Sequence, residues 1–136
     1  MDRAQAAAGF VDAHVHYPQT AIIASWGKRL IDWLNSYTFP EEMRFADPAY
    51  AAMIANRYLD LATAHGTTTV CTYATIHPAS VDAIFTAAQS RGMRLYAGKT
   101  CMDRNAPEGL RDTAHPYRPK NLPARHGTTS TPKDAT

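Results

Sequence analysis

The sequence predicts an α/β fold on a parallel sheet, and three observations carry that prediction. β-prone segments begin near residues 10, 67 and 94, and stretches of helical periodicity separate them. The two clearest helices are bracketed by start and stop residues, Asp47-Pro48 to Gly66 and Pro78 to Gly92. With 136 residues, 45% of them hydrophobic and 19% charged, the chain is of a size and composition that can bury one core.

The first strand lies in GFVDAHVHY, residues 9–17, where alternation places Asp12, His14 and His16 on one face. Apolar residues at Trp26, Leu30, Trp33, Leu34 and Tyr37 then mark a short helix, which TFPEE is expected to end. Asp47 is placed to cap a second helix with Pro48 in its first turn, striped by Tyr50, Ile54, Tyr58 and Leu61. TTTVCTYAT, residues 67–75, is rich in β-branched and aromatic types and reads as a buried strand. A third helix from Pro78 carries Val81, Ile84, Phe85 and Ala88 on one side and stops at Gly92. RLYAGKTCM, residues 94–102, is the third strand, and right-handed crossovers are expected to connect the three.

Residues 114–136 differ in kind. They hold four of the nine prolines and few large apolar side chains, so a disordered or polyproline-like tail is expected. Their four Lys/Arg against one Asp/Glu account for the net charge of +2, since residues 1–113 carry ten against eleven. No basic stripe marks the body of the chain, and nucleic acid is not an expected partner. No segment approaches the roughly 20 apolar residues of a membrane span, and no signal-peptide pattern precedes Asp12. Cys71 and Cys101 form neither a CxxC pair nor a disulfide framework and read as buried small hydrophobes. A soluble cytoplasmic protein is the expectation.

The residues that carry chemistry begin with His14 and His16. Two apart on a strand, they can both reach one metal if the strand's C-terminal end opens into a pocket. A surface pair is the plainer reading of the same spacing. Trp26 and Trp33 have faces that can stack on a base, although helical spacing favours the core. Lys99, in an apolar segment, requires a polar partner or a cavity. His65 suits a helix C-terminus. His77, before Pro78, is read first as a cap and second as a group at the mouth of the sheet. Asp103, Arg104 and Asn105 follow the third strand at that mouth, where they either shape a pocket or form a polar loop.

GFVDAHVH resembles the xVDxHxH signature of the amidohydrolase superfamily. YPQT, DWLNSYTFPEE, RFADP, HGTTT, ATIHP and GKTCMDRNAPEGLRDT are together similar to the guanine deaminases within it. The resemblance covers residues 9 to about 113. It implies a partial (β/α)8 TIM barrel, of which residues 1–113 supply the first three strands and their crossover helices. His14 and His16 would be the first two ligands of a Zn2+, Gln19 would hydrogen-bond the guanine ring, and His16 and Trp33 would lie against the substrate. Gln19 offers an acceptor and two donors, which suits a purine edge, although a solvated loop residue is the alternative. The implied reaction is hydrolytic: zinc acidifies a water, the hydroxide attacks the ring carbon bearing the amine, and guanine becomes xanthine and ammonia. A homodimer is implied for the full-length family member.

A full barrel takes about 200 to more than 400 residues, so the resemblance also implies a fragment. The catalytic glutamate and the remaining zinc ligands would lie on later strands, leaving no catalytic residue within this chain. The fragment is expected to be inactive alone and prone to aggregation. A shift of reading frame past Asp112 is one origin for the altered tail. Two further readings stand beside the deaminase: another amidohydrolase acting on a related heterocycle, and a non-catalytic module with a residual two-histidine metal site.

Overall fold

The computed structural model describes residues 7–112, so the predicted tail at 114–136 lies outside the described residues. Three parallel strands, β1 (Phe10–His16), β2 (Thr67–Tyr73) and β3 (Arg94–Gly98), pair in the order β1-β2-β3. Between β1 and β2 run a 3-10 turn (Tyr17–Ile22), the helices α1 (Leu30–Trp33) and α2 (Phe39–Met43), and the long helix α3 (Pro48–Ala64). α4 (Pro78–Arg91) joins β2 to β3.

α3 and α4 begin and end where their local chemistry dictates. The Asp47 side chain accepts the Ala49 N–H at 2.9 Å, and Pro48 occupies a first-turn position where its missing N–H costs nothing. Gly92 closes α4 at φ 62°, the left-handed conformation that glycine adopts without strain. Asp47→Ala is expected to cost about 1 kcal/mol of stability in urea denaturation. An unchanged midpoint would show the cap to be dispensable.

The helices cover one face of the sheet. Tyr17, Phe45, Leu59, Val70 and Ile84 are fully excluded from solvent and form the centre of the core with Ile54, Ala55 and Tyr58. Val70 stands in register with Leu95, and Thr72 with Ala97, on this covered face. Cys71 stands in register with Tyr96 on the other face, and both are exposed. The expectation that Cys71 and Cys101 are buried is therefore corrected: Cys71 points away from the helices, and Cys101 lies beyond β3 in a loop. For the same reason β2 is not buried throughout but alternates.

The helix expected over 26–37 is displaced. It begins at Leu30, leaving Trp26 80% exposed, and TFPEE does not end it. α1 runs through a π turn at Leu34–Thr38 directly into α2. Pro40 cannot donate to the carbonyl four residues back, and a widened turn just before it lets the helix continue past that gap. β2 and β3 are also shorter than expected. After Tyr73 the chain turns away from the ladder, because the Thr75 N–H and hydroxyl both engage Ser80 Oγ at 3.0 Å. β3 stops at Gly98, with the last links across the gap being Ala74 N–H to the Gly98 carbonyl and Thr100 N–H to the Thr75 carbonyl.

Candidate metal and substrate site

β1 carries a bulge. Asp12 pairs with Val70 and Val15 with Thr72, so three steps along β1 match two along β2. The extra residue breaks simple alternation, and Asp12 does not share a face with His14 and His16 as expected. It takes the register of Val70, on the side of Tyr58 in α3. Burial raises the Tyr58 phenol above its ordinary pKa, and the Asp12 carboxylate adds to that shift. Beyond the bulge the alternation holds: the His14 and His16 rings lie together, centroids 5.5 Å apart and edge to face. Tyr73 of β2, opposite His16 in register, stacks on the His16 ring at 4.8 Å and meets His14 edge-on at 5.3 Å.

Burial, with the His14 ring second, lowers the pKa of His16 and so favours the neutral imidazole, the form that ligates a metal. Two neutral-capable ring nitrogens on one strand face suit zinc or a similar divalent cation. Among the described residues there is no group of three or more His, Cys, Asp or Glu placed to hold one.

The chain leaves β1 through a turn fastened to its neighbours. The Tyr17 N–H donates to Thr72 Oγ1 at 3.0 Å, and the Tyr17 hydroxyl donates to the Ser80 carbonyl at 2.5 Å. Thr20 Oγ1 donates back to the Tyr17 carbonyl at 2.6 Å. These bonds place Gln19 on the wall of an open pocket of about 330 Å³, which His16, Gln19, Ile22, Trp33 and Tyr58 help to line. Three residues singled out from the sequence, His16, Gln19 and Trp33, thus share one pocket. Trp33 is part of that wall and not of the core cluster, against the preference that its helical spacing gave. Trp26 is in neither.

Other sequence expectations fare variously. His65 ends α3 with its Nδ1 2.8 Å from the Leu61 carbonyl, a structural position. His77 does not cap α4 with its side chain; its ring is partly buried and its Nε2 has no hydrogen-bond partner among the described residues. Burial, then the Lys99 charge, lowers its pKa, with Asp112 opposing. Lys99 finds its polar partner in Asp112, whose other oxygen accepts the Met102 N–H at 3.1 Å. This ion pair closes the loop that contains Asp103, Arg104 and Asn105, all three exposed.

Sequence reasoning passed over two buried residues of α2. Glu42 of α2 is buried, 7% exposed. Burial raises its carboxyl pKa to about 7, with the Gln19 side chain opposing. Glu41 beside it accepts from the Tyr50 hydroxyl and from Arg44 at 3.0 Å, and the Arg44 guanidinium lies 3.8 Å from the centre of the Tyr50 ring. Adjacent glutamates after a proline look like a solvated helix start, so no local signal marked their burial. Tyr73 was hidden for a related reason, since a strand taken as wholly buried gives no cue to its histidine-facing side.

The raised carboxyl has a consequence for stability. The folded state holds the Glu42 proton more tightly than the unfolded chain, whose carboxyl titrates near 4.5. The stabilisation is therefore complete below about 4.5 and is lost as pH rises toward about 7. Between those values the urea midpoint of the unsubstituted chain is expected to fall relative to that of Glu42→Gln. Parallel pH profiles for the two chains would contradict this.

A parallel β/α unit that gathers two imidazoles at the end of its first strand, beside a pocket, has the layout of the opening strands of a β/α barrel. The chain belongs to the amidohydrolase family, whose pattern matches residues 6–134. It is similar to the guanine deaminase of Escherichia coli strain K12, 48% identical over 106 residues, which are 78% of this chain and 24% of that protein. Among solved structures, guanine deaminase from Bradyrhizobium japonicum superposes with a TM-score of 0.75 at 40% identity, over 77% of this chain and 23% of that one. Guanine deaminase from C. acetobutylicum, with guanine bound in its active site, gives 0.74 at 36% identity, over 76% and 25%. The chain spans about a quarter of the length of these relatives, and its three-stranded sheet corresponds to the N-terminal part of their barrel.

Proposed function

We propose that this chain supplies one wall of the active site of a guanine deaminase, which hydrolyses guanine to xanthine and ammonia. The observation that carries the reading is the shared pocket of His16, Gln19 and Trp33 with His14 beside it. The bound guanine in the C. acetobutylicum relative supports a small planar substrate. Gln19 presents a mixed donor and acceptor edge to a purine, and Trp33 offers an aromatic wall. His14 and His16 would hold a Zn2+, with Tyr73 keeping the His16 ring in place by stacking. Zinc bound there supplies an acidified water at neutral pH.

The reading includes a cytoplasmic setting, which two exposed unpaired thiols favour, and a homodimeric full-length protein. No helix of the described residues is long and apolar enough to cross a membrane. A catalytic zinc takes at least three protein ligands, and His14 and His16 are two. Zinc titration combined with guanine binding and an ammonia assay tests the proposal. Zinc and guanine are expected to bind this chain without ammonia release. Ammonia from guanine would refute its inactivity, preference for another heterocycle would favour a different amidohydrolase, and failure to bind either ligand would remove the site.

A further inference from the structure

We infer that residues 23–27 form a strap that closes over the pocket and lays Trp26 on the free face of a planar ligand whose other face rests on Trp33. This rests on the reading of the pocket as a site for guanine and adds the group that covers it. Ile22, Ile23, Ala24 and Ser25 already line the pocket, yet Ile23 is 67% and Trp26 80% exposed. Trp26 follows Ser25 by one Cα step of about 3.8 Å, so its indole is within reach of the opening. It belongs to neither core cluster, and an indole left in water forgoes a large apolar burial. A site for a small heterocycle covers most of its ligand, which an open pocket with one aromatic wall does not do.

The strap is tied at both ends and strained between them. At its start the Ser25 N–H and hydroxyl both donate to the Ile22 carbonyl, at 3.1 and 2.6 Å. At its far end Lys28 Nζ donates to Ser36 Oγ at 3.0 Å and lies 5.3 Å from the centre of the Tyr37 ring. Ile23 at φ −53°, ψ 135° and Ala24 at φ 63° give the turn from Ile22 to Ser25 the pattern of type II, whose third residue is ordinarily glycine. An alanine there has its Cβ crowded against the backbone, so the open strap carries strain that closing releases. Gly27 is the second pivot, since a Cβ added to it would meet nothing within 4 Å. Closing thus relieves a turn and takes an exposed indole out of water.

Acrylamide quenching tests the closure in Trp33→Phe, where Trp26 is the sole tryptophan of the chain. Saturating guanine is expected to lower the quenching constant of Trp26 about threefold. Guanine affinity is expected to fall about tenfold in Trp26→Ala and less than about threefold in Trp26→Phe, which keeps a ring to stack. Trp26 lies outside the core, so these changes leave the fold intact. Ala24→Gly relaxes the turn and favours the open strap, so a loss of about fivefold is expected from the removal of one methyl group. Quenching unchanged by guanine, or no loss of affinity in Trp26→Ala or Ala24→Gly, overturns the proposal. Protection of Trp26 that follows chain concentration instead of guanine also overturns it, as the mark of a contact between copies. If the unsubstituted chain binds no guanine, the reading of the pocket fails, and 19F relaxation of the chain labelled with 5-fluorotryptophan decides the strap separately. The Trp26 signal, identified by its disappearance in Trp26→Phe, is expected to exchange between two states, and to cease doing so in Ala24→Gly. A Trp26 signal without exchange in the unsubstituted chain overturns the proposal.

Discussion

Replacing His14 or His16 by alanine is expected to weaken zinc binding by this chain on the order of a hundredfold, because each change removes one of the paired imidazoles. Competition with a chromophoric chelator would measure it. The two rings meet edge to face at 5.5 Å on the same side of β1, and among the described residues no third His, Cys, Asp or Glu is grouped with them to hold a metal. His65→Ala is the control: that ring is committed to the end of α3 and should leave zinc affinity unchanged. Equal affinities for all three variants would mean that the metal, if bound, sits elsewhere. Tyr73→Phe should retain binding, since stacking on His16 requires the ring and not the hydroxyl.

Phe45→Ala is expected to remove about 3–5 kcal/mol of stability, the usual cost of deleting a buried phenylalanine ring. Phe45 has no solvent exposure and meets Tyr17 and Tyr50 edge to face, with ring centroids 5.7 and 5.4 Å away. Its loss strips packing from Tyr17, which anchors the turn carrying Gln19, and from Tyr50, which holds Glu41. The damage should therefore reach the pocket although Phe45 does not line it. Urea denaturation gives the number, and Phe45→Leu should recover more than half of the loss. A cost below about 1 kcal/mol for Phe45→Ala would show that the core collapses around the gap.

The parts of the fold readable from sequence are those fixed by neighbouring residues. Asp47-Pro48, Gly66, Pro78 and Gly92 each act within a turn of their own position, and α3 and α4 begin and end beside them. The spacing of His14 and His16 is similarly local, and it placed two rings together as expected. What was missed depends on partners far away in the chain. The bulge that moves Asp12 is a mismatch between β1 and β2, visible only once the strands are paired. The burial of Glu42 depends on α2 packing against the turn after β1, and the exposure of Cys71 needs helices on one side of the sheet. Pro40 misled for a different reason: proline is a reliable stop for an α-helix, but a π turn ahead of it lets the helix go on.

The register of β1 bears on how the chain is made. His16 pairs with Tyr73, and Val15 is linked to Thr72 across 57 positions, whereas β2, α4 and β3 are close successive neighbours. On a ribosome adding about 5–20 residues per second, β1 waits roughly 3 to 11 seconds for its partner strand. Until then the histidine pair lies on a strand without its ladder partner. Pulsed hydrogen exchange during refolding should show protection in β1 lagging behind that in β2 and β3. Simultaneous protection of all three strands would instead mean that the sheet closes in one step.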